Sequence, residues 1–282
     1  MPSATVKIIA TACFILSFAF MASCTNNPPK APEVQGMAYV LPGKFVMGSK
    51  GEVEGHGKDY GDGVVGIDVG VDELPRRTAK LEHGFYMDRY EVTQAEYKKF
   101  VDSTGQRAPD NQNHPEDPYI WKEKTYPEGI SENPVALVSY DDAVLYCKWK
   151  GKRLPSEEEW EKACRGTDGR KWPWGDGFEP AKANTREIEL LRSSPVGGFP
   201  TDASPYGVYD MAGNLREWTG SWYLPYPGST LKRDTFGEQF RVVRGGSWVH
   251  TPLPESRCAA RGFVIPDMRH RSLGFRCAKD AP

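Results

Sequence analysis

No charge of one sign dominates this chain. It carries 36 Lys and Arg against 38 Asp and Glu, a net charge of −2. That balance leaves no electrostatic footprint for nucleic acid, and no basic stripe interrupts it. Histidine is scarce, with five in 282 residues. His56 and His83 stand without a spacing partner, and no His-Glu-x-x-His zinc helix can be drawn. A nucleophile elbow and a phosphate loop are also missing, which removes two common hydrolase and nucleotide chemistries. No internal repeat is visible, so the chain is not a solenoid. The apolar run Ile8–Met21 is too short and too abruptly ended for a comfortable membrane span.

That run fits an export signal instead. Lys7 precedes it, and the small residues Ala22 and Ser23 end it directly before Cys24. Residues 1–23 are therefore expected to be a secretory signal peptide. Small residues followed by Cys resemble a bacterial lipoprotein box, so Cys24 is the expected lipidated N-terminus. Cleavage nearby without lipid is the competing outcome. Residues 24–36 read as the lipidated Cys and a polar, Pro-rich tether. Thr25, in place of an acidic residue, resembles an outer-membrane sorting pattern. The expected location is the bacterial cell envelope, lipid-anchored, at the outer membrane facing periplasm or surface. Membrane contact would come through the lipid alone.

Six cysteines occur. Cys13 leaves with the signal and Cys24 takes the lipid. Four remain in an oxidising compartment, where disulfides are the default and three pairings are possible. Spacing does not choose among them. Gly (29) and Pro (23) are abundant, and aromatics reach 12%, which describes a folded but loop-rich domain with little regular structure. About 245 residues follow the tether, enough for one large core.

Organisation is legible along the chain. Met37–Met47 reads as a strand pair around Pro42-Gly43, and residues 48–74 as a long acidic loop. His83–Met87 reads as a strand. Thr93-Gln94-Ala95-Glu96 is a capping box opening a helix with Tyr97 and Phe100. Ser139–Asp142 repeats the form, with Ala143, Tyr146 and Cys147 on one face. Ser156–Glu159 opens a third helix burying Trp160, Ala163 and Cys164. Short strands follow, among them Arg241–Arg244 and Phe275–Cys277.

Several blocks carry a family resemblance: GKFVMGS, FYMDRYEVTQAEYKKF, the run from Asn133 to Gly166, WPWGD, YGVYDMAGNLREWTGSWY, RVVRGGSW, RCAARG and LGFRCA. In this order, over roughly residues 37–279, they resemble the formylglycine-generating enzyme, or sulfatase-modifying factor, family. The resemblance implies an α+β fold, a variant of the C-type lectin fold, in a domain spanning 37–282. It also implies the pairings Cys147–Cys277 and Cys164–Cys258. Each closes a loop near 100 residues, worth roughly 4–5 kcal/mol in the chain-entropy model.

Function does not follow from fold. In the family, two cysteines between the RGGS and RCAAR blocks bind copper(I), which requires soft thiolates. Here residues 248–257 contain none. His250 falls at the first of those positions and Glu255 near the second. Copper chemistry is therefore not expected. His250, Glu255, Ser247, Trp149 and Arg261 are the candidates for a different constellation in the same cleft, Ser247 and Trp149 because they match family cleft positions. The bland alternative makes His250 a surface-loop histidine. The absence of a three-histidine set argues against iron-dependent sulfoxide synthase relatives.

For calcium the resemblance implies the loop Asp210–Glu217. The side chains of Asp210 and Glu217 would ligate, with the carbonyls of Gly213 and Leu215, since calcium requires hard oxygen ligands. Asn184 and Thr185 resemble the start of a second calcium site, with no obvious acidic partner between Arg186 and Ser194. Asp88, Glu91 and Trp174–Asp176 read as packing and turn residues. Two function classes stay open. One is a binding or scaffold lipoprotein whose partner is an envelope protein or small ligand. The other is a periplasmic oxidoreductase or maturation enzyme without catalytic cysteines.

Overall fold

A computed structural model describes residues 1, 32–51, 70–110 and 115–282. The signal peptide, Cys24, most of the tether and His56 lie outside those residues. The folded unit runs from Glu33 to Pro282. Among the described residues no helix is long and apolar enough to cross a membrane.

The elements follow in chain order: β1 (Met37–Val40), β2 (Gly43–Met47), β3 (Arg77–Leu81), β4 (Phe85–Asp88), α1 (Gln94–Thr104), α2 (Tyr140–Trp149), α3 (Glu157–Arg165), β5 (Arg216–Trp222), β6 (Arg241–Arg244), β7 (Gly262–Val264), β8 (Leu273–Gly274) and β9 (Ala278–Asp280). The described strands build three small sheets, ordered β1-β4-β9, β2-β3 and β7-β6-β5-β8. All pairings are antiparallel except β5 with β8.

All three long helices start at the anticipated capping boxes. In each, the Ser or Thr hydroxyl accepts the third helical N–H, and the carboxylate there accepts the cap's own N–H. This satisfies two amides that the helix geometry otherwise orphans. Ala143, Tyr146, Cys147, Trp160, Ala163 and Cys164 are buried as their spacing predicts. The main core is aromatic: Tyr97, Phe100, Tyr146 and Phe275 pack with centroids 5.3–6.3 Å apart.

The first expected hairpin does not form. β1 pairs with β4 and β2 with β3, in separate sheets. Lys162, buried on α3, holds the connection between them. Its ammonium donates to the carbonyls of Leu41 (2.6 Å) and Gly43 (3.0 Å), holding the connection against the helix. The closing strand also differs: Phe275–Cys277 lies between β8 and β9 rather than in a strand.

Both disulfides pair as the resemblance implies, Cys147–Cys277 and Cys164–Cys258, with Cα–Cα distances of 5.7 Å. Each fixes a helix to the C-terminal third. A buried ionic network joins the same regions. Arg244 pairs with Glu161 at 2.6 Å and Glu157 at 3.0 Å, and Arg261 pairs with Glu157 at 2.7 Å. Carboxylates and guanidiniums buried this deeply are tolerable only as mutually satisfied partners.

Candidate functional site

The loop after β6 turns at Gly246, whose φ of +66° suits glycine. A Cβ there would stand 2.1 Å from Ser256 Oγ, so the loop closes tightly on itself. Ser247 Oγ and His250 Nδ1 share a 2.5 Å hydrogen bond. Both are buried, at 0% and 2% exposure. Burial first, then the charge of Arg216 and the nearby His270, pushes the His250 pKa well below the usual range, so its imidazole is neutral. The expectation of a surface-loop histidine is corrected. The loop is drawn inward because the amide of Trp248 donates to the Asn214 carbonyl and that of Arg186 to the His250 carbonyl.

Glu255 ends the short, kinked segment Pro252–Glu255, which is non-helical at Leu253, and is also buried. Arg261 is committed to Glu157 and to the carbonyls of Asp72 and Leu224. Trp149 stands elsewhere. It is 41% exposed at the end of α2, against Phe100, Tyr146 and the ammonium of Lys150. The structure thus joins Ser247 with His250 and gives Trp149 separate neighbours.

A second cluster gathers around the loop from Asp210 to Glu217. Asp210 is buried with φ +59°; its Oδ2 accepts the Gly197 N–H at 2.7 Å. Its Oδ1 has no hydrogen-bond partner. Glu217 is fully buried and accepts two bonds from Arg276, both 2.7 Å, and one from Trp160 Nε1 at 2.8 Å. A carboxylate offers about four acceptor positions, so Oε1, with a single donor, keeps one open. Among the described residues, no loop or turn amide donates to the carbonyls of Gly213 or Leu215.

Two further acids complete the cluster, and sequence reasoning missed both. Glu91, read as packing, accepts from Asn214 Nδ2 (2.6 Å) and the Leu215 amide (3.0 Å), and so shapes the loop. Asp202 accepts the Asp210 N–H at 2.7 Å, while its Oδ1 is buried without a partner. Nothing in the turn-like Thr201–Ser204 marks it. Burial, then the charge of Asp210, raises Asp202 to about 8. Burial, and the charge of Glu217, raise Asp210 to about 6, against the Gly197 hydrogen bond and Arg276. Glu91 is pushed well above the carboxylate range by burial and by Asp210 and Glu217.

Hard oxygen donors with too little positive charge fit a divalent cation. Among the described residues no three His, Cys, Asp or Glu side chains form a metal-holding group. The backbone carbonyls would therefore have to complete the shell. At the second candidate, Asn184 Nδ2 donates to the Arg192 carbonyl and to Asn214 and Ser194, and its buried Oδ1 has no partner. Thr185 Oγ1 donates to the exposed Glu187 at 2.9 Å.

Comparison with known proteins places this geometry. The profile of the sulfatase-modifying factor enzyme 1-like domain matches residues 23–281. The mouse formylglycine-generating enzyme is 34% identical over 260 residues, covering 74% of this chain and 69% of the enzyme. Mouse inactive C-alpha-formylglycine-generating enzyme 2 is 38% identical over 181 residues, 57% of this chain and 55% of that protein. The structure of PvdO from Pseudomonas aeruginosa superposes with a TM-score of 0.63 at 29% identity, covering 86% of this chain and 94% of PvdO.

Proposed function

This chain belongs to the sulfatase-modifying factor enzyme 1-like family, and on that premise we propose that it is a thiol-free member: a lipid-anchored envelope protein that binds a partner protein or small ligand. The observation that carries this reading is the fate of the cysteines. All four in the folded unit are consumed in two disulfides. Among the described residues no thiolate is left for copper(I), which soft ligands must hold. By the sequence resemblance, the buried His250 falls at the first of the family's thiolate positions and the buried Glu255 near the second. The inactive mouse relative offers a precedent for a member of this family named as lacking the activity.

A second reading places catalysis on the Ser247–His250 pair, favoured by its 2.5 Å hydrogen bond. Exposures of 0% and 2% favour a role for the pair in holding the loop. The experiment is incubation of the purified full chain with copper(I), oxygen and a peptide bearing Cys-x-Pro-x-Arg, read by mass spectrometry. An unchanged cysteine peptide is expected. An aldehyde product would overturn the reading.

Calcium is proposed as the resident ion. Asp210 and Glu217 with the carbonyls of Gly213 and Leu215 would hold it. It would supply the positive charge that the buried acids lack beside Arg276.

A further inference from the structure

A cleft of about 770 Å³ opens between the loop that follows α3 and the turn at Leu253. That volume suits a small organic ligand. Six of its lining residues are Lys or Arg and two are Asp, in a chain whose net charge is −2. Three of these cations brace the walls. Arg165 holds the carbonyls of Gly48 and Gly169 and pairs with Glu161. Arg257 forks onto Glu73, and Arg170 onto Asp168.

The other three, Lys50, Arg76 and Lys171, are exposed and form no ion pair with a described residue. The fold positions Arg76 and Lys171. The Arg76 guanidinium lies over Gly169, where a Cβ would approach it to 2.7 Å and φ is +81°. The Lys171 carbonyl accepts the amide of Cys258 at 2.9 Å, so its backbone is clamped beside the Cys164–Cys258 disulfide. Trp174, stacked on Trp172 at 5.9 Å, and the exposed Leu253 give the cleft an apolar edge.

We propose that this cleft binds a small organic polyanion, a molecule with two or more carboxylate or phosphate groups on an apolar or ring-bearing frame. Three separate cations select for more than one anionic group. The volume exceeds what one inorganic ion fills, and Trp174 with Leu253 faces the frame. The Lys171 backbone, clamped by the Cys258 amide, loses little freedom when a ligand binds. The proposal rests on the binding-domain reading above and names the chemistry of its ligand.

Calorimetric titration of the full chain at physiological ionic strength tests it. The probes are citrate and a sugar bisphosphate, which separate carboxylate from phosphate sources, with acetate as the monoanion control. Saturable binding of at least one polyanion is expected, with acetate about tenfold weaker or worse. Arg76→Gln and Lys171→Gln should each weaken the polyanion about tenfold. Asp168→Asn releases Arg170 and should tighten binding severalfold, a gain that residues serving only structure would not produce. Absence of saturable heat with either polyanion, or unchanged affinity in both Gln variants, overturns the proposal. Failure of the binding-domain reading looks different: aldehyde forms on the cysteine peptide whatever the titration shows.

Discussion

Asp202→Asn should make the metal-free protein more stable, and more so as pH rises. Asp202 sits at 2% exposure, with Oδ2 on the Asp210 amide and Oδ1 without a partner. Burial, then Asp210, raises its pKa to about 8 from 3.8. The folded protein therefore keeps a proton that the unfolded chain sheds above pH ~4. Stability attached to that proton is intact below the unfolded pKa and is lost as pH rises through the folded one. At ~1.4 kcal/mol per pH unit, the full shift is worth about 5–6 kcal/mol by pH 8. Part of it is shared with Asp210 and disappears when that partner is protonated, so about 3 kcal/mol is the working figure. Asn preserves an acceptor for the Asp210 amide and carries no charge. In chelator at pH 8 the variant should melt roughly 6–12 °C higher. The gap should close toward pH 4, and calcium should shrink it by offsetting the acids' repulsion. Scanning calorimetry across pH 4–8, with and without calcium, measures all three. Equal melting points at pH 8 in chelator, or a gap that widens as pH falls, would refute the reasoning.

Other outcomes follow from the same structure. Asp210→Ala should abolish any rise in melting temperature on adding calcium; a rise equal to the parent's would exclude Asp210 as a ligand. The disulfides are nested, with separations of 94 and 130 residues. In the chain-entropy model, removing either pair as Cys→Ala costs roughly 3.5–4 kcal/mol, and removing both costs about 1 kcal/mol more than the sum. Denaturant titration of the three variants checks this, and strict additivity would count against the entropic account. Arg276→Met strands the fully buried Glu217 and should cost about 3–5 kcal/mol; a loss under 1 kcal/mol would mean that Trp160 alone satisfies that carboxylate.

Much of the fold was legible because local signals and family blocks agreed. The capping boxes at Thr93, Ser139 and Ser156 are short-range chemistry, and each began a helix where expected. The cysteine pairing came from the resemblance, since four cysteines alone leave three choices. What escaped was long-range. The Pro-Gly turn between Val40 and Gly43 predicts one hairpin, yet the two strands pair in separate sheets, with a lysine 119 residues from Gly43 bound to the connection. His250 looked exposed because its burial depends on Asn214 and Arg186, distant in sequence. Asp202 and Glu91 gave no signal because their carboxylates matter only through the loop they face. The Asp210–Glu217 loop was visible as a motif, whereas its excess of buried acids was visible only in three dimensions.

The nested crosslinks also set an order of events for a chain made from its N-terminus. Cys147 and Cys164 emerge 17 residues apart, long before Cys258 and Cys277, their partners in the fold. An oxidant acting on the growing chain meets the wrong pair first. The first sheet waits as well, since β1 and β4 are complete early but β9 closes their edge only from residues 278–280. Maturation of this domain therefore requires thiols held reduced, or reshuffled, until the last strand arrives.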